Sequence, residues 1–513
     1  MKSYAQLGMP YLRAPTMRTV PLYATSIILT TAIIIVLFSI RGPPSLDFLD
    51  TTPLNSAKKH PDEPLPVTQS GWSFDFKRDA RNFGLDEEQC LAAFPDFYKE
   101  IDRALQYRRE VAGKIKPEEL EVDWRPDGMM RAMIHDNQLY IIDAHGLDPP
   151  NHRARAIATL NAIQRALTAS AIPLPDIEFT FSVHDDAHTS EDDTHTTWAY
   201  SRKAHQTSLW LMPDFGLWAW PDVNIRSYSE LRTQLALSES HFLDKIPKLV
   251  WRGSLAVGSH DVRAGLVEHA ANQPWSDVME LDWSDKSNIN SRLLSMSDHC
   301  EYMFVAQTEG NTYSGRLKFL LNCHSILFSH KLDWIENYHH LMQPTGELQN
   351  FVQVKRDYSD LPKKITRLLD PKEVQRTELI ADNARKIFRE RYLTPAAEAC
   401  YWRALIRGWA SVQDFEPSFW WEVTETTAEG KTLKWKPRGT PFESYAIMEE
   451  VEWELPAKGR RICIDKDEEE KAEEPQVEQA QEPIEVPTGM QTEQQGDDLV
   501  PQQADVPVDE QTR

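Results

Sequence analysis

The sequence predicts an α/β body, preceded by one transmembrane helix and followed by a disordered acidic tail. Three observations predict it. Between about Trp72 and Val412, short β-rich runs alternate with stretches of helical periodicity. The run from Leu22 to Ile40 holds 19 residues without a charge, enough at about 1.5 Å rise per residue to span a bilayer core. From Asp465 to Arg513, sixteen acidic residues face only Lys466, Lys471 and Arg513.

In chain order, residues 1–21 read as a short cytoplasmic tail carrying Lys2, Arg13 and Arg18. Residues 22–40 read as an uncleaved signal-anchor. A cleaved signal peptide competes, but its apolar stretch is usually about 7–15 residues. The run also ends in Ser39-Ile40-Arg41-Gly42-Pro43-Pro44, without a small-x-small cleavage site. Residues 41–70 are rich in Pro, Ser, Thr and charge and read as an unfolded stem.

The globular part divides at about residue 245 into an N-terminal half, 71–245, and a C-terminal half, 246–412. Its strand-like runs include Gln138 to Asp143, Ile177 to Val183, Lys248 to Trp251 and Ser325 to Phe328. Helix-like stretches include Arg153 to Ala169 and Arg316 to Asn322. A Trp-rich segment, 413–463, follows and suits a small β appendage. The Glu/Gln/Pro/Val-rich end, 464–513, is too polar to bury a core.

Charge narrows the function. The chain carries a net −23, of which −13 lies between Asp465 and Arg513, leaving −10 for the rest. A nucleic-acid binder would show a basic face, and none is visible. The five cysteines, Cys90, Cys300, Cys323, Cys400 and Cys463, form no C-x-x-C pair, which removes zinc-ribbon spacing. In an oxidising lumen they allow one or two disulfides whose pairing stays open, with at least one thiol left over.

Three short segments could carry chemistry. In Glu309 to Lys318 (EGNTYSGRLK), glycine and Asn suit a tight turn, and Ser314 can cap a helix beginning near Arg316. Helix-start N–H groups, the macrodipole and an arginine fork together suit a phosphate. The same residues also read as an ordinary capped helix with a surface Arg and Lys. Trp251-Arg252-Gly253-Ser254 follows a strand-like run, with Gly258 and Arg263 downstream, and so lies where open α/β sheets bind ligands. It could equally be a loop arginine in a surface pair. Phe181 to Asp186 (FSVHDD) ends another strand, and a carboxylate there can take a proton from a hydroxyl. Its rival is a metal site built from His184, Asp185, Asp186, His188, Asp192, Asp193 and His195, but no fixed ligand spacing supports one. No Walker loop, G-x-G-x-x-G or G-x-S-x-G is present.

Taken in order, several segments resemble glycosyltransferase family 90, which holds fungal capsule-associated xylosyltransferases and animal protein O-glucosyltransferases. They are Pro175 to Asp185, Leu211 to Trp218, Lys245 to Ser254, Tyr302 to Leu321, Val352 to Leu361 and Cys400-Tyr401-Trp402. The resemblance covers about residues 130–412. It implies a GT-B-type fold, two Rossmann-like halves facing a cleft, with the nucleotide held mostly by the C-terminal half. It implies an inverting enzyme that moves glucose or xylose from UDP-glucose or UDP-xylose to a hydroxyl on a glycan or protein. Carried over by motif, Asp185 is the catalytic base, and Arg252 and Arg316 hold the diphosphate. Gly253, Ser254, Arg263, Glu309, Ser314 and Gly315 complete the donor-binding set.

No metal or other cofactor is expected. The D-x-D triplet that often serves metal-dependent sugar transferases occurs only as Asp465-Lys466-Asp467, inside the acidic run. His184 stands where glucosyltransferase members show Arg, and Asp186 where they carry a bulkier aromatic; both bear on sugar and acceptor choice. With the anchor, the reading implies a single-pass type II protein of the Golgi or endoplasmic reticulum membrane, its catalytic body lumenal. No N-x-S/T sequon occurs. The competing function is a catalytically inactive lumenal binding or scaffold protein on the same fold. A metal-dependent hydrolase using the His/Asp stretch is a third.

Overall fold

The computed structural model describes residues 66–447 except 126, 148–149, 188–193, 259 and 428–429. The expected anchor, nearly all of the stem, the acidic tail and Cys463 lie outside the described residues, as do His188, Asp192 and Asp193. Among the described residues, no helix is long and apolar enough to cross a membrane.

The body is a mixed α/β fold on two main sheets. The first is built from β1 (Met129–His135), β2 (Gln138–His145), β3 (Ile177–Ser182), β4 (Trp198–Ala199) and β5 (Trp210–Leu211). β1 and β2 form a hairpin closed by Asp136 and Asn137, both at positive φ (49° and 59°), the conformation that matches strand twist in a two-residue turn. β3 pairs antiparallel with β1, and only the β3–β4–β5 side is parallel. The first half is therefore a mixed sheet rather than the Rossmann-like parallel one expected. The tight hairpin forces β1 and β2 to pair antiparallel. Helix α1 (Pro150–Thr168) links β2 to β3.

The second sheet holds β6 (Ile246–Gly253), β7 (Ser276–Glu280), β8 (Tyr302–Gln307), β9 (Ile326–Ser329) and β10 (Val352–Gln353). All its pairings are parallel, and the spatial order is β10-β9-β8-β6-β7. Counted within this half the order is 2-1-3-4-5, so the direction of winding reverses between β6 and β8. Helix α2 (His260–Ala270) connects β6 to β7. In such sheets ligands bind beyond the carboxyl ends of the strands flanking the reversal. Here those ends are Gly253-Ser254 and Gln307 to Gly310.

Two segments cross the expected boundaries. Helix α3 (Pro395–Val412) has Pro395 at its start and the Thr394 side chain accepting from the Ala397 N–H. Although it follows the second sheet in sequence, it packs on the first. Its Trp409 meets Trp198 and Trp210 edge-on at 5.5 and 5.2 Å, and Trp198 stacks on Phe179 at 4.1 Å. A Cys90–Cys400 disulfide ties this helix to Glu87–Ala93, and a Cys300–Cys323 disulfide closes a smaller loop. The Trp-rich segment does form a β-hairpin, Trp420–Thr427 with Gly430–Pro437. It is less separate than an appendage, because Thr440–Pro441 pairs with β2, and Phe442 and Tyr445 enter the first core. Arg438 also grips buried Glu178 with two bonds of 2.6 Å, beside Arg131 at 2.7 Å.

Candidate active site

At the winding reversal the loops after β6 and β8 are drawn together. Gly258 has φ +73°, and a Cβ there would lie 2.2 Å from the Gly310 backbone, so the contact needs glycine. The Gly258 N–H donates to Asn311 Oδ1 at 2.8 Å. Arg263, fully buried in α2, rivets the same loops, with Nε to Glu309 O at 3.1 Å and Nη1 to Ser254 O at 2.7 Å. Glu309 faces inward. Its Oε1 accepts the N–H groups of Asp333 and Trp334 at 2.7 and 2.8 Å. Burial raises its carboxyl above the usual range despite those two donors. Both residues hold backbone in place, and Ser254 contributes its Oγ to the Ala256 N–H at 3.1 Å.

The two arginines expected to share a diphosphate have different surroundings. Arg252 is buried, with Nε to Arg292 O at 2.7 Å, Nη1 to Trp251 O and Asp277 O, and Nη2 to Asp277 Oδ1 at 2.8 Å. Its guanidinium is engaged by its own half of the molecule. Arg316 is half-buried and lines the cleft. Its Nη1 donates to the Arg252 carbonyl, and its guanidinium sits 5.9 Å from the centre of the Trp251 ring. Arg252 thus orients Arg316 through its backbone. Nearby His299 is buried, and burial together with the Arg316 and Arg252 charges pushes its imidazole down to about 4. It adds no positive charge at neutral pH.

The helix after this turn is shorter than the sequence suggests. It runs only Leu317–Leu320, Arg316 occupies its N-cap, and no side chain caps it. Ser314 instead accepts the Leu317 N–H through its carbonyl. One turn aligns too few peptides for an appreciable macrodipole. The expected dipole contribution falls away, and the positive charge that this turn presents to the cavity is that of Arg316. Gly315 packs so tightly that a Cβ would lie 2.7 Å from the Trp220 ring.

Asp185 follows β3 and faces this turn across a narrow cavity of about 50 Å³. Arg155, Phe215, Trp220, Tyr313, Ser314 and Arg316 are among its lining residues. Asp185 Oδ1 accepts from Arg155 Nη1 at 2.6 Å, and the same Nη1 lies 3.1 Å from Val183 O. Among the described residues, Oδ2 has no hydrogen-bond donor. Burial works against the Arg155 cation, but the Asp185 carboxylate beside it prevails and raises its pKa. Arg155 therefore stays charged and fixes the carboxylate's orientation. Of the residues the sequence nominates for the site, Asp185, Ser314, Gly315 and Arg316 line one space. The sequence reading misses Arg155, Trp220 and Tyr313; Arg155 is one of three arginines in α1, with Arg153 and Arg165, and nothing in the sequence singles it out.

The His/Asp stretch does not assemble a metal centre among the described residues. His184 lies 3.4 Å from Asp127, whereas His195 packs against Trp124 with ring centres 4.9 Å apart. Among the described residues, a cluster with compatible spacing lies elsewhere: Asp123, Asp143 and His145, whose ligand atoms lie within 4.8 Å of one another. There His145 Nε2 contacts the two carboxylates at 3.3 and 3.0 Å.

Comparison with solved structures finds Anabaena Alr3699/HepE in three complexes. With UDP and glucose it aligns at TM-score 0.24 and 14% identity, over 38% of this chain and 58% of that one. With UDP-glucose the values are 0.25 and 14%, over 40% and 62%. With UDP they are 0.23 and 14%, over 38% and 59%. The chain thus spans less than two thirds of the length of these proteins. No curated protein matches it. The model of the family described as glycosyl transferase family 90 matches residues 87–469, a span that includes both sheets, the cavity and every residue expected at the site. The chain belongs to glycosyl transferase family 90.

Proposed function

We propose that the protein transfers glucose or xylose from a UDP-sugar to a hydroxyl of a glycan or protein acceptor, inverting the anomeric carbon, on a GT-B-type arrangement of its two halves. The observation that carries this reading is that Asp185 and Arg316, from opposite halves, line one cavity. Asp185 Oδ2 takes the acceptor hydroxyl's proton as the oxygen attacks C1 of the sugar. The C1–O bond to UDP breaks on the opposite face, and its electron pair leaves with the diphosphate. Arg316 opposes the charge that develops there. Arg252 and Arg263 act earlier in the chain of support, holding Arg316 and the two loops where the diphosphate would lie. The cavity would take the reacting C1 and the acceptor oxygen, and the nucleotide would occupy the open ends of β6 and β8.

The two disulfides favour an oxidising compartment. That suits a type II protein of the Golgi or endoplasmic reticulum membrane, with the body lumenal. The test is UDP release by the full-length, detergent-solubilised protein, screened over UDP-sugars with simple glycoside and peptide acceptors. Acceptor-stimulated release from UDP-glucose or UDP-xylose is expected, and it should persist in EDTA. Release from no UDP-sugar, in protein shown to be folded, would overturn the reading. Release that stops in EDTA and returns with Mn²⁺ would overturn the metal-independent mechanism.

A further inference from the structure

The turn carrying Arg316 is held from the other half of the protein by a buried ion pair. Lys318 Nζ lies 2.6 Å from Asp214 Oδ1, and the side chains are 0% and 2% exposed. The same ammonium donates to Gly315 O at 2.6 Å. It sits among three rings, with centres at 4.9 Å (Phe319), 5.7 Å (Trp220) and 5.8 Å (Phe215). Tyr313 Oη donates to Asp214 Oδ2 at 2.6 Å, and the Gly216 N–H donates to Oδ1 at 2.6 Å. Every partner of Asp214 named here is therefore in the loop just beyond β5 or in the turn that presents Arg316.

Stability is a poor reason for this arrangement. Desolvating two charges cancels most of their attraction, and apolar residues of similar size often do as well. Such residues would suit this aromatic surround. Geometry is the better reason. Phe215, next to Asp214, lies under the Arg155 guanidinium at 5.0 Å, and Arg155 holds Asp185. A continuous set of contacts thus runs from Arg316 through Gly315, Lys318, Asp214, Phe215 and Arg155 to Asp185.

We propose that Asp214, Lys318 and Tyr313 form a positioning clamp that sets the base Asp185 at its working distance from the donor-side Arg316. It rests on the reading of this cavity as the sugar-transfer site. Misplacement by about 1 Å can cost a reaction a hundredfold without weakening ground-state binding in proportion. The clamp should therefore show in kcat more than in KM.

The experiment compares Tyr313→Phe and Asp214→Asn with the wild type by kcat, donor KM, calorimetric UDP affinity and thermal midpoint. Tyr313→Phe removes one oxygen and should lower kcat about tenfold, with donor KM and UDP affinity changed less than about twofold. Asp214→Asn should lower kcat about a hundredfold. If that variant fails to fold, Tyr313→Phe decides alone. Wild-type kcat in Tyr313→Phe overturns the clamp, as does a parallel loss of kcat, affinity and thermal midpoint, which would mark a structural role. If the wild type neither binds UDP nor turns over a UDP-sugar, the transfer reading fails and the clamp with it.

Discussion

Replacing Asp185 with Asn tests the chemistry with little change of shape. An amide oxygen can still accept from Arg155 Nη1, now 2.6 Å from Oδ1, so the turn after β3 keeps its principal tie. What disappears is the basic oxygen. General-base catalysis contributes roughly 10²- to 10⁴-fold, equivalent to about 3–5 kcal/mol of transition-state free energy. The cost to folding is smaller, because the ion pair becomes a hydrogen bond whose one charge is the Arg155 donor, and the donor keeps an acceptor. That is worth about 1–2 kcal/mol, or a few degrees in thermal midpoint. Nothing on the Arg316 side changes, so UDP affinity should stay within about twofold, well under 1 kcal/mol. The assay is acceptor-stimulated UDP release beside calorimetric UDP binding on the same preparation. Retention of more than a tenth of wild-type kcat would place the base elsewhere. Equal losses in UDP affinity and turnover would mean that Asp185 supports the donor rather than the acceptor.

Three other perturbations read different parts of the molecule. Arg316→Ala should weaken UDP binding about 10- to 100-fold by calorimetry, from about 1.5–3 kcal/mol per hydrogen bond to a charged group. Arg316→Lys should restore only part, since an ammonium lacks the planar fork. Acid should destabilise the fold through His299 and His324, both pushed by burial from 6.5 down to about 4. Below pH 6.5 the unfolded chain takes up protons that these folded imidazoles refuse. Stability present above that pH is therefore lost as pH falls toward 4, up to about 3 kcal/mol for each histidine. Urea midpoints at pH 7, 5.5 and 4.5 measure the loss, and His299→Gln should flatten its share. Cys90→Ser with Cys400→Ser opens a loop of 310 residues. Chain entropy puts that loss at roughly 5 kcal/mol, seen as a lower urea midpoint under non-reducing conditions.

The local patterns were legible, and the pairings that give them meaning were not. Ile177 to Val183 was expected as a strand and forms one over Ile177–Ser182; Arg153 to Ala169 was expected as a helix and lies within Pro150–Thr168 except for Ala169. Composition and periodicity act over neighbouring residues, so one sequence suffices to read them. The direction of pairing in the first sheet is not legible from those runs: the Asp136-Asn137 turn sets only β1 against β2, and β3 returns beside β1 after a whole helix. Nor could alternation of strands and helices show that α3, late in the chain, returns to cover Trp198 and Trp210.

The site divides in the same way, which explains why the expected pair of arginines became one arginine in the cavity. Sequence position puts Arg252 at the end of a strand beside the winding reversal, the right place for a donor ligand. Its side chain goes elsewhere because β6 and β7 align with Val250 opposite Asp277, bringing that carboxylate within reach of the guanidinium. That register is a tertiary fact, separated by 25 residues from the arginine it engages. Asp214 and Lys318 are a stronger case, since each sits in a recognisable segment, yet neither shows in sequence that the other buries its charge. A cation can serve a ligand only where the fold turns it toward the site, as it does Arg316 and not the Arg252 guanidinium, and that is decided by partners distant in the chain. Donor binding should accordingly depend more on Arg316 than a two-arginine motif suggests, with Arg252 acting through the carbonyl it offers to Arg316.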